Sequence, residues 1–177
     1  GSALVKFEIP ESWAAAEDDP KQTQEDQPAI VTNILEPINR QKGDDLPVST
    51  FLGYEDGTIE LGLTAYEKRC IATQVPEWDP SLCLQCNRCS FVCPHAVIRP
   101  YLLTKEESAK APAGMKMTAA KGIKDHDYTL LISKEDCTGC GCCVNGCPAK
   151  EKAIKMVPFG ESKSTQEEWE YGLSVSD

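Results

Sequence analysis

Eight of the ten cysteines fall into two copies of the pattern C-x2-C-x2-C-x3-C-P, a spacing that favours cubane iron–sulfur clusters. Such clusters need soft thiolate ligands, and three cysteines at this spacing can wrap one cluster in a tight loop. In two-cluster proteins the fourth cysteine of each run binds the cluster of the other run. The pattern therefore predicts one cluster on Cys83, Cys86, Cys89 and Cys147, and a second on Cys137, Cys140, Cys143 and Cys93.

Two cysteines lie outside the pattern. Cys142 competes with its neighbour Cys143, but only Cys143 has the required spacing to Cys140 and to Cys147. We therefore interpret Cys142 as a free thiol. Cys70 has no motif partner, and we expect it to be a half-buried thiol without a role.

Structural zinc is the alternative metal for these cysteines. Four-cysteine zinc sites usually pair two C-x2–4-C knuckles across a loop, and triplets followed by x3-C-P do not resemble them. Phosphate-binding glycine loops, nucleophile arrangements and thiamine-type sites are not recognisable in the sequence, so no catalytic residue is predicted. The expected chemistry is electron transfer.

Composition limits which kinds of partner and which cellular compartment we expect. A net charge of −10 argues against nucleic acid, whose phosphates require a positive surface. The sequence has no apolar stretch near the roughly 18 residues that would predict a membrane span. Cysteines concentrated between residues 83 and 147 do not suggest a secreted disulfide scaffold. We expect a reducing compartment, either cytoplasm or an anaerobic organelle such as a hydrogenosome.

Local patterns predict the elements that position the cysteines. Apolar residues between Ile30 and Ile38 have helical spacing, and Pro37 should limit this helix to the preceding turns. A capping box of Thr104 and Glu107 predicts a helix over residues 105–111. Residues 113–125 suggest a surface loop and 128–132 a strand. Glycines 139, 141 and 146 should allow close approach and positive φ in the second cysteine loop.

The two cysteine runs are internal repeats, each followed by a short apolar segment. They predict an α+β fold, a bacterial two-cluster ferredoxin-like domain with pseudo-twofold symmetry and a long insertion at 95–136 that forms a lid or contact surface. An irregular extended arm or small connecting domain precedes it. We divide the chain into a linker and docking helix (1–42), a connecting module (43–74), the two-cluster domain (75–160) and a C-terminal linker (161–177).

Longer strings resemble one enzyme family. Residues 46–49 (LPVS), 62–69 (GLTAYEKR), 75–78 (VPEW), 86–100 (CNRCSFVCPHAVIRP) and 137–154 (CTGCGCCVNGCPAKEKAI) are similar to pyruvate:ferredoxin oxidoreductases. The likeness covers nearly the whole chain. Two positions depart from it, since Cys70 stands where a glycine or other small residue is expected and Cys142 where asparagine is common.

The resemblance also implies the reaction, the cofactors and the partners of a larger enzyme. In this family thiamine diphosphate with Mg, in a domain outside this chain, cleaves pyruvate oxidatively with coenzyme A. Electrons leave through cubane clusters to ferredoxin or flavodoxin, and the parent enzyme is a homodimer. This chain would relay electrons through its two 4Fe–4S clusters. The alternative is an independent two-cluster ferredoxin-like subunit that serves another oxidoreductase.

Overall fold

The structure is a computed structural model, and it describes residues 8–15 and 27–175. The chain separates into two compact units, Gly1–Tyr66 and Glu67–Asp177. None of the helices in the described ranges is long and apolar enough to cross a membrane.

The first unit is built from short helical turns. A π-helical turn, Val31–Leu35, leads directly into helix α1, Glu36–Asn39. The prediction that Pro37 ends the helix is wrong, because the π turn shifts the hydrogen bonding and the N–H of Glu36 donates to the carbonyl of Val31. Pro37 then lies at the start of α1, where a missing N–H costs nothing. Further 3-10 turns are Glu11–Ala15, Gly43–Asp45, Val48–Phe51 and Leu63–Tyr66.

A small apolar cluster holds this unit together. Ile30, Val31 and Ile34 are buried on one side of the helical segment, and Tyr54 and Leu63 pack against them. The predicted apolar pattern ran from Ile30 to Ile38, but Ile38 is exposed and does not join this cluster. Trp13 is also exposed.

Up to residue 175, the second unit contains five strands in two small sheets, four α-helices and the 3-10 turn Phe159–Glu161. Strands β1 (Gln74–Trp78) and β5 (Ile154–Pro158) pair antiparallel, with Trp78 opposite Ile154. The other sheet has the order β2-β4-β3 and is also antiparallel. Its strands are β2 (Ile98–Thr104), β3 (Thr118–Ala119) and β4 (His126–Ile132). The helices are α2 (Arg88–Phe91), α3 (Lys105–Lys110), α4 (Cys142–Gly146) and α5 (Gln166–Ser174).

Strand β4 separates two apolar cores because its side chains alternate between faces. Tyr128, Leu130 and Ile132 face the core that contains the cysteines. Leu131 faces a second core with Leu103, Met115 and Trp169. The strand was expected at 128–132, and it begins two residues earlier.

The insertion and the C-terminus are more ordered than the sequence suggested. The capping box at Thr104 and Glu107 is present, and it starts α3 as predicted. Residues 113–125 are not only a loop, since they include β3 and the buried side chain of Met115. Residues 161–177 were expected to be a linker, but they contain α5. Its Trp169 packs against the insertion, which explains why the helix docks.

Candidate iron–sulfur centres

The first cysteine loop turns twice through the left-handed region. Gln85 has φ 56° and Asn87 has φ 57°, although neither residue is glycine. These turns bring the backbone N–H of Gln85 within 3.3 Å of the sulfur of Cys83. Amide groups directed at sulfur favour the thiolate form of the ligand.

The second loop repeats this backbone path with glycines. Gly139 has φ 71° and Gly141 has φ 72°, at positions equivalent to Gln85 and Asn87. The N–H of Gly139 donates to the sulfur of Cys137, also at 3.3 Å. A Cβ on Gly139 would lie 3.0 Å from the carbonyl oxygen of Gln74, so this position also needs glycine for its close approach. The predicted positive φ is therefore confirmed for two of the three glycines.

Two short helices carry the later cysteines of each run. Cys89 lies in α2 and Cys143 in α4, and the fourth cysteines follow the ends of these helices. The helices are in contact, since a Cβ on Gly146 would meet Cγ2 of Val92 at 3.2 Å. Gly146 therefore serves close approach without a positive φ. This contact places the end of each run beside the loop of the other run.

Each predicted ligand set lines one cavity. The space of the first cavity, including its open mouth, is about 360 Å³, and Trp78, Tyr128 and Ile154 contribute to its almost entirely apolar wall. Its four cysteines are Cys83, Cys86, Cys89 and Cys147. The second cavity has about 330 Å³ and includes Pro76, His95 and Met156 in its wall. Its motif cysteines are Cys93, Cys137, Cys140 and Cys143.

The donor chemistry of both cavities fits a cubane cluster. All ten cysteines are free thiols, so none is consumed by a disulfide. Four soft sulfur ligands around a space with mostly apolar walls suit iron–sulfur clusters. Across residues 8–15 and 27–175, no group of three or more His, Cys, Asp or Glu converges closely enough for a single metal ion.

The cysteines of the two cavities differ in the pKa of their thiols. Burial raises the pKa of Cys89 to about 11 and that of Cys143 to about 12, because a thiolate is poorly solvated there. The pKa of Cys137 is raised for the same reason. Cys140 is different, since a hydrogen bond from the backbone N–H of Cys142 lowers its pKa. The buried thiols therefore need a positive partner, such as cluster iron, to ionise at neutral pH.

The remaining cysteines and the histidine near the site are exposed. Cys142 lies in the wall of the second cavity, at the position that Arg88 has in the first loop. Cys70 is exposed, so the expectation that it is half-buried is wrong. Its φ of 49° places it in a conformation that favours glycine, in agreement with the small residue expected there. His95 also lines the second cavity.

Sequence reasoning missed the side chains that complete the first cavity. Trp78 and Tyr128 meet edge to face, with ring centroids 5.9 Å apart. The hydroxyl of Tyr128 donates to Oδ1 of Asn87 at 2.7 Å and so supports the first cysteine loop. These contacts join residues 50 and 41 positions apart, and no local spacing signals them.

Comparison with known domain families identifies the class of protein. Residues 82–150 match a 4Fe-4S double cluster binding domain, and residues 16–72 match the EKR domain, a domain of unknown function. The chain is thus an iron–sulfur protein of the double 4Fe–4S cluster class.

Comparison with individual relatives gives the family. The chain is 47% identical over 177 residues to the pyruvate-flavodoxin oxidoreductase of Enterobacter agglomerans and 46% identical over 175 residues to that of Klebsiella pneumoniae. These alignments cover 98% and 99% of the chain but only 15% of each relative. The pyruvate:ferredoxin oxidoreductase of Moorella thermoacetica is 46% identical over 93% of the chain and 14% of its own length. The chain belongs to the pyruvate:ferredoxin (flavodoxin) oxidoreductase family, as the segment with the double-cluster domain.

Proposed function

We propose that the chain relays electrons, one at a time, through two 4Fe–4S clusters. The observation that carries this proposal is the pair of cavities, each lined by four motif cysteines. The clusters would supply reversible one-electron storage. The protein contributes thiolates, N–H groups directed at sulfur and apolar walls, which together set the reduction potentials.

We assign the ligands of each cluster from the motif cysteines that line each cavity. Cys147 lines the cavity of the first run, and Cys93 lines that of the second. This exchange supports the cross-ligation expected from the spacing. Cys142 would remain a free thiol, because the helical position of Cys143 buries that sulfur against the core. A pseudo-twofold relation between the halves is supported by the matching loops and by the contact between α2 and α4.

The electrons would come from pyruvate in a larger enzyme. Relatives named for pyruvate and for flavodoxin or ferredoxin align with almost the full chain, which spans about 15% of their length. Thiamine diphosphate, Mg and coenzyme A would act in other parts of that enzyme, a homodimer. Ferredoxin or flavodoxin would accept the electrons. Within this chain we propose the division into 1–42, 43–74, 75–160 and 161–177, with α5 inside the last part.

Iron analysis of the anaerobically reconstituted chain tests the clusters. We expect about eight irons and eight sulfides per chain, and a visible spectrum that dithionite bleaches. Colourless protein with two zinc ions would overturn the proposal. Cys142→Ala is the matched control and should keep the full iron content.

Paired substitutions test the ligand exchange. Cys83→Ala with Cys147→Ala should remove ligands from one cluster and leave about four irons. Cys83→Ala with Cys93→Ala should damage both clusters. Equal iron loss in the two double variants would contradict cross-ligation.

The place of the chain in a larger enzyme needs a separate test. We expect the chain to complete electron transfer from a thiamine-containing partner that lacks this segment, with pyruvate as the donor and flavodoxin as the acceptor. Efficient reduction of an unrelated oxidoreductase, without any complex with that partner, would favour the independent subunit.

A further inference from the structure

The buried indole N–H of Trp78 has no protein partner. Trp78 is only 3% exposed, and it lines the same cavity as Cys83, Cys86, Cys89 and Cys147. Among the residues that the structure describes, no acceptor lies within hydrogen-bond reach of its Nε1. Buried N–H groups are rarely left without an acceptor, so this one calls for a partner that is not a protein group.

The indole is held in place by its surroundings. The carbonyl of Trp78 accepts a hydrogen bond from Nζ of Lys116 at 2.8 Å, and the N–H of Asp79 donates to the carbonyl of Ala153 at 2.8 Å. The ring meets Tyr128 edge to face. The Tyr128 hydroxyl is already engaged with Asn87 and does not accept from the indole. These contacts hold the backbone and the ring of Trp78 in place.

We propose that the indole N–H of Trp78 donates a hydrogen bond to a sulfur of the cluster in the first cavity. The inference rests on the proposed cluster ligation and names a further residue that tunes the cluster. Cluster sulfurs carry negative charge and accept such bonds, and hydrogen bonds to sulfur are among the factors that set reduction potentials.

The bond should raise the reduction potential of this cluster. Reduction adds negative charge to the cluster, so a donor to sulfur stabilises the reduced form more than the oxidised form. The second cavity has Pro76, His95 and Met156 in its wall and no tryptophan. The two clusters would therefore differ in potential, in part because only one of them receives an indole donor.

A redox titration of the full chain, followed by EPR, tests the assignment. Trp78→Phe should keep about eight irons and shift one of the two potentials negative, while the other potential stays unchanged. Trp169→Phe is the matched control, since Trp169 is also buried but packs in the second core. It should reduce stability and leave both potentials unchanged. Two unchanged potentials in fully loaded Trp78→Phe protein would overturn the inference.

A second measurement does not depend on a folded variant. In unmodified chain labelled with 15N-tryptophan, pulsed EPR of the reduced protein should detect 15N coupled to one cluster. Absence of this coupling would overturn the inference while the iron content still supports the relay function. Unmodified chain without clusters would instead overturn the relay function, and the inference with it.

Discussion

The backbone N–H of Lys121 donates to the side-chain oxygen of Gln85 at 2.7 Å, which joins the insertion to the first cysteine loop. The side-chain amide of Gln85 also donates, from its Nε2, to the carbonyl of Ala119 at 2.9 Å. The ammonium group of Lys121 reaches the carbonyl of Cys83 at 2.9 Å. Gln85 thus continues the hydrogen bonding of β3 and fixes the loop that presents Cys83. The insertion therefore stabilises the first cysteine loop as well as forming a surface.

Gln85→Ala should therefore loosen the first cysteine loop. It removes two hydrogen bonds, each with a net contribution of about 0.5–1.5 kcal/mol, and we expect the lower part of this range because the site is open to solvent. Anaerobic denaturant unfolding would measure the loss. Gln85→Glu keeps the acceptor for Lys121 and loses the donor to Ala119. Its stability should therefore lie between that of Gln85→Ala and that of the unmodified chain. Equal stability of all three would show that the contact is unimportant.

The left-handed turn before α4 gives a second prediction. Gly141 has φ 72°, and a Cβ there would have no atom within 4 Å, so the cost of a side chain comes from the backbone alone. Gly141→Ala should destabilise the chain by about 1 kcal/mol. Gly141→Asn should cost less, because asparagine tolerates this conformation and Asn87 adopts it in the first loop. Unfolding free energies of the two variants provide the measurement, and a larger loss for asparagine would contradict the explanation.

Local spacing predicted the cavity cysteines because a cysteine run and its turns are short-range features. The two sets of four cysteines line separate cavities, and the glycines at 139 and 141 have positive φ, while the ligand assignment itself stays a prediction. The capping box at Thr104 likewise depends only on residues three apart.

Distant contacts were not predictable in the same way. Gln85 meets the insertion 34 to 36 residues later, and Trp78 meets Tyr128 across two sheets. Helix α5 lies in the segment that was interpreted as a linker, and only Trp169 and Gly172 of this helix are buried. Its docking depends on a core that the insertion creates.

Cys70 provides a prediction of increased stability. Its φ of 49° is unfavourable for a residue with a Cβ, and its backbone N–H is held by the carbonyl of Glu135 at 3.1 Å. Cys70→Gly should stabilise the chain by up to about 1 kcal/mol, after the entropy cost of glycine in the unfolded state. Cys70→Ala removes the same thiol but keeps the Cβ, so it should give no gain. Thermal unfolding under argon distinguishes these outcomes, and an equal gain for both would point to the thiol.

Gly172 is where α5 approaches the insertion most closely. A Cβ at this position would lie 2.4 Å from Cδ1 of Leu131 and 3.0 Å from the ring of Tyr101. Because Leu131 is buried, Gly172→Ala should displace the helix and cost about 1–3 kcal/mol. Gly160→Ala is the control, since a Cβ there meets nothing within 4 Å and φ is not positive. Hydrogen exchange of α5 should rise only in the first variant.

The ion pair between α3 and β4 gives a prediction about pH. Nζ of Lys105 lies 2.6 Å from Oδ1 of Asp127, and this hydrogen bond lowers the pKa of Asp127. A carboxyl with a lowered folded pKa adds stability above its unfolded pKa of about 3.9 and loses that stability as pH falls through the folded value. Asp127→Asn should therefore destabilise the chain at neutral pH, and the difference should shrink as pH falls through the folded pKa of Asp127.

Two comparisons make this last prediction specific. Added salt should shrink the difference between Asp127→Asn and the unmodified chain, because Lys105 is 62% exposed and its charge is screened. Asp125→Asn removes an exposed carboxylate two residues earlier that has no ion pair in the described part of the chain, and it should change stability little. A stability difference for Asp127→Asn that persisted below the folded pKa of Asp127, or that salt left unchanged, would assign the effect to packing, because only a charge interaction depends on ionisation and screening.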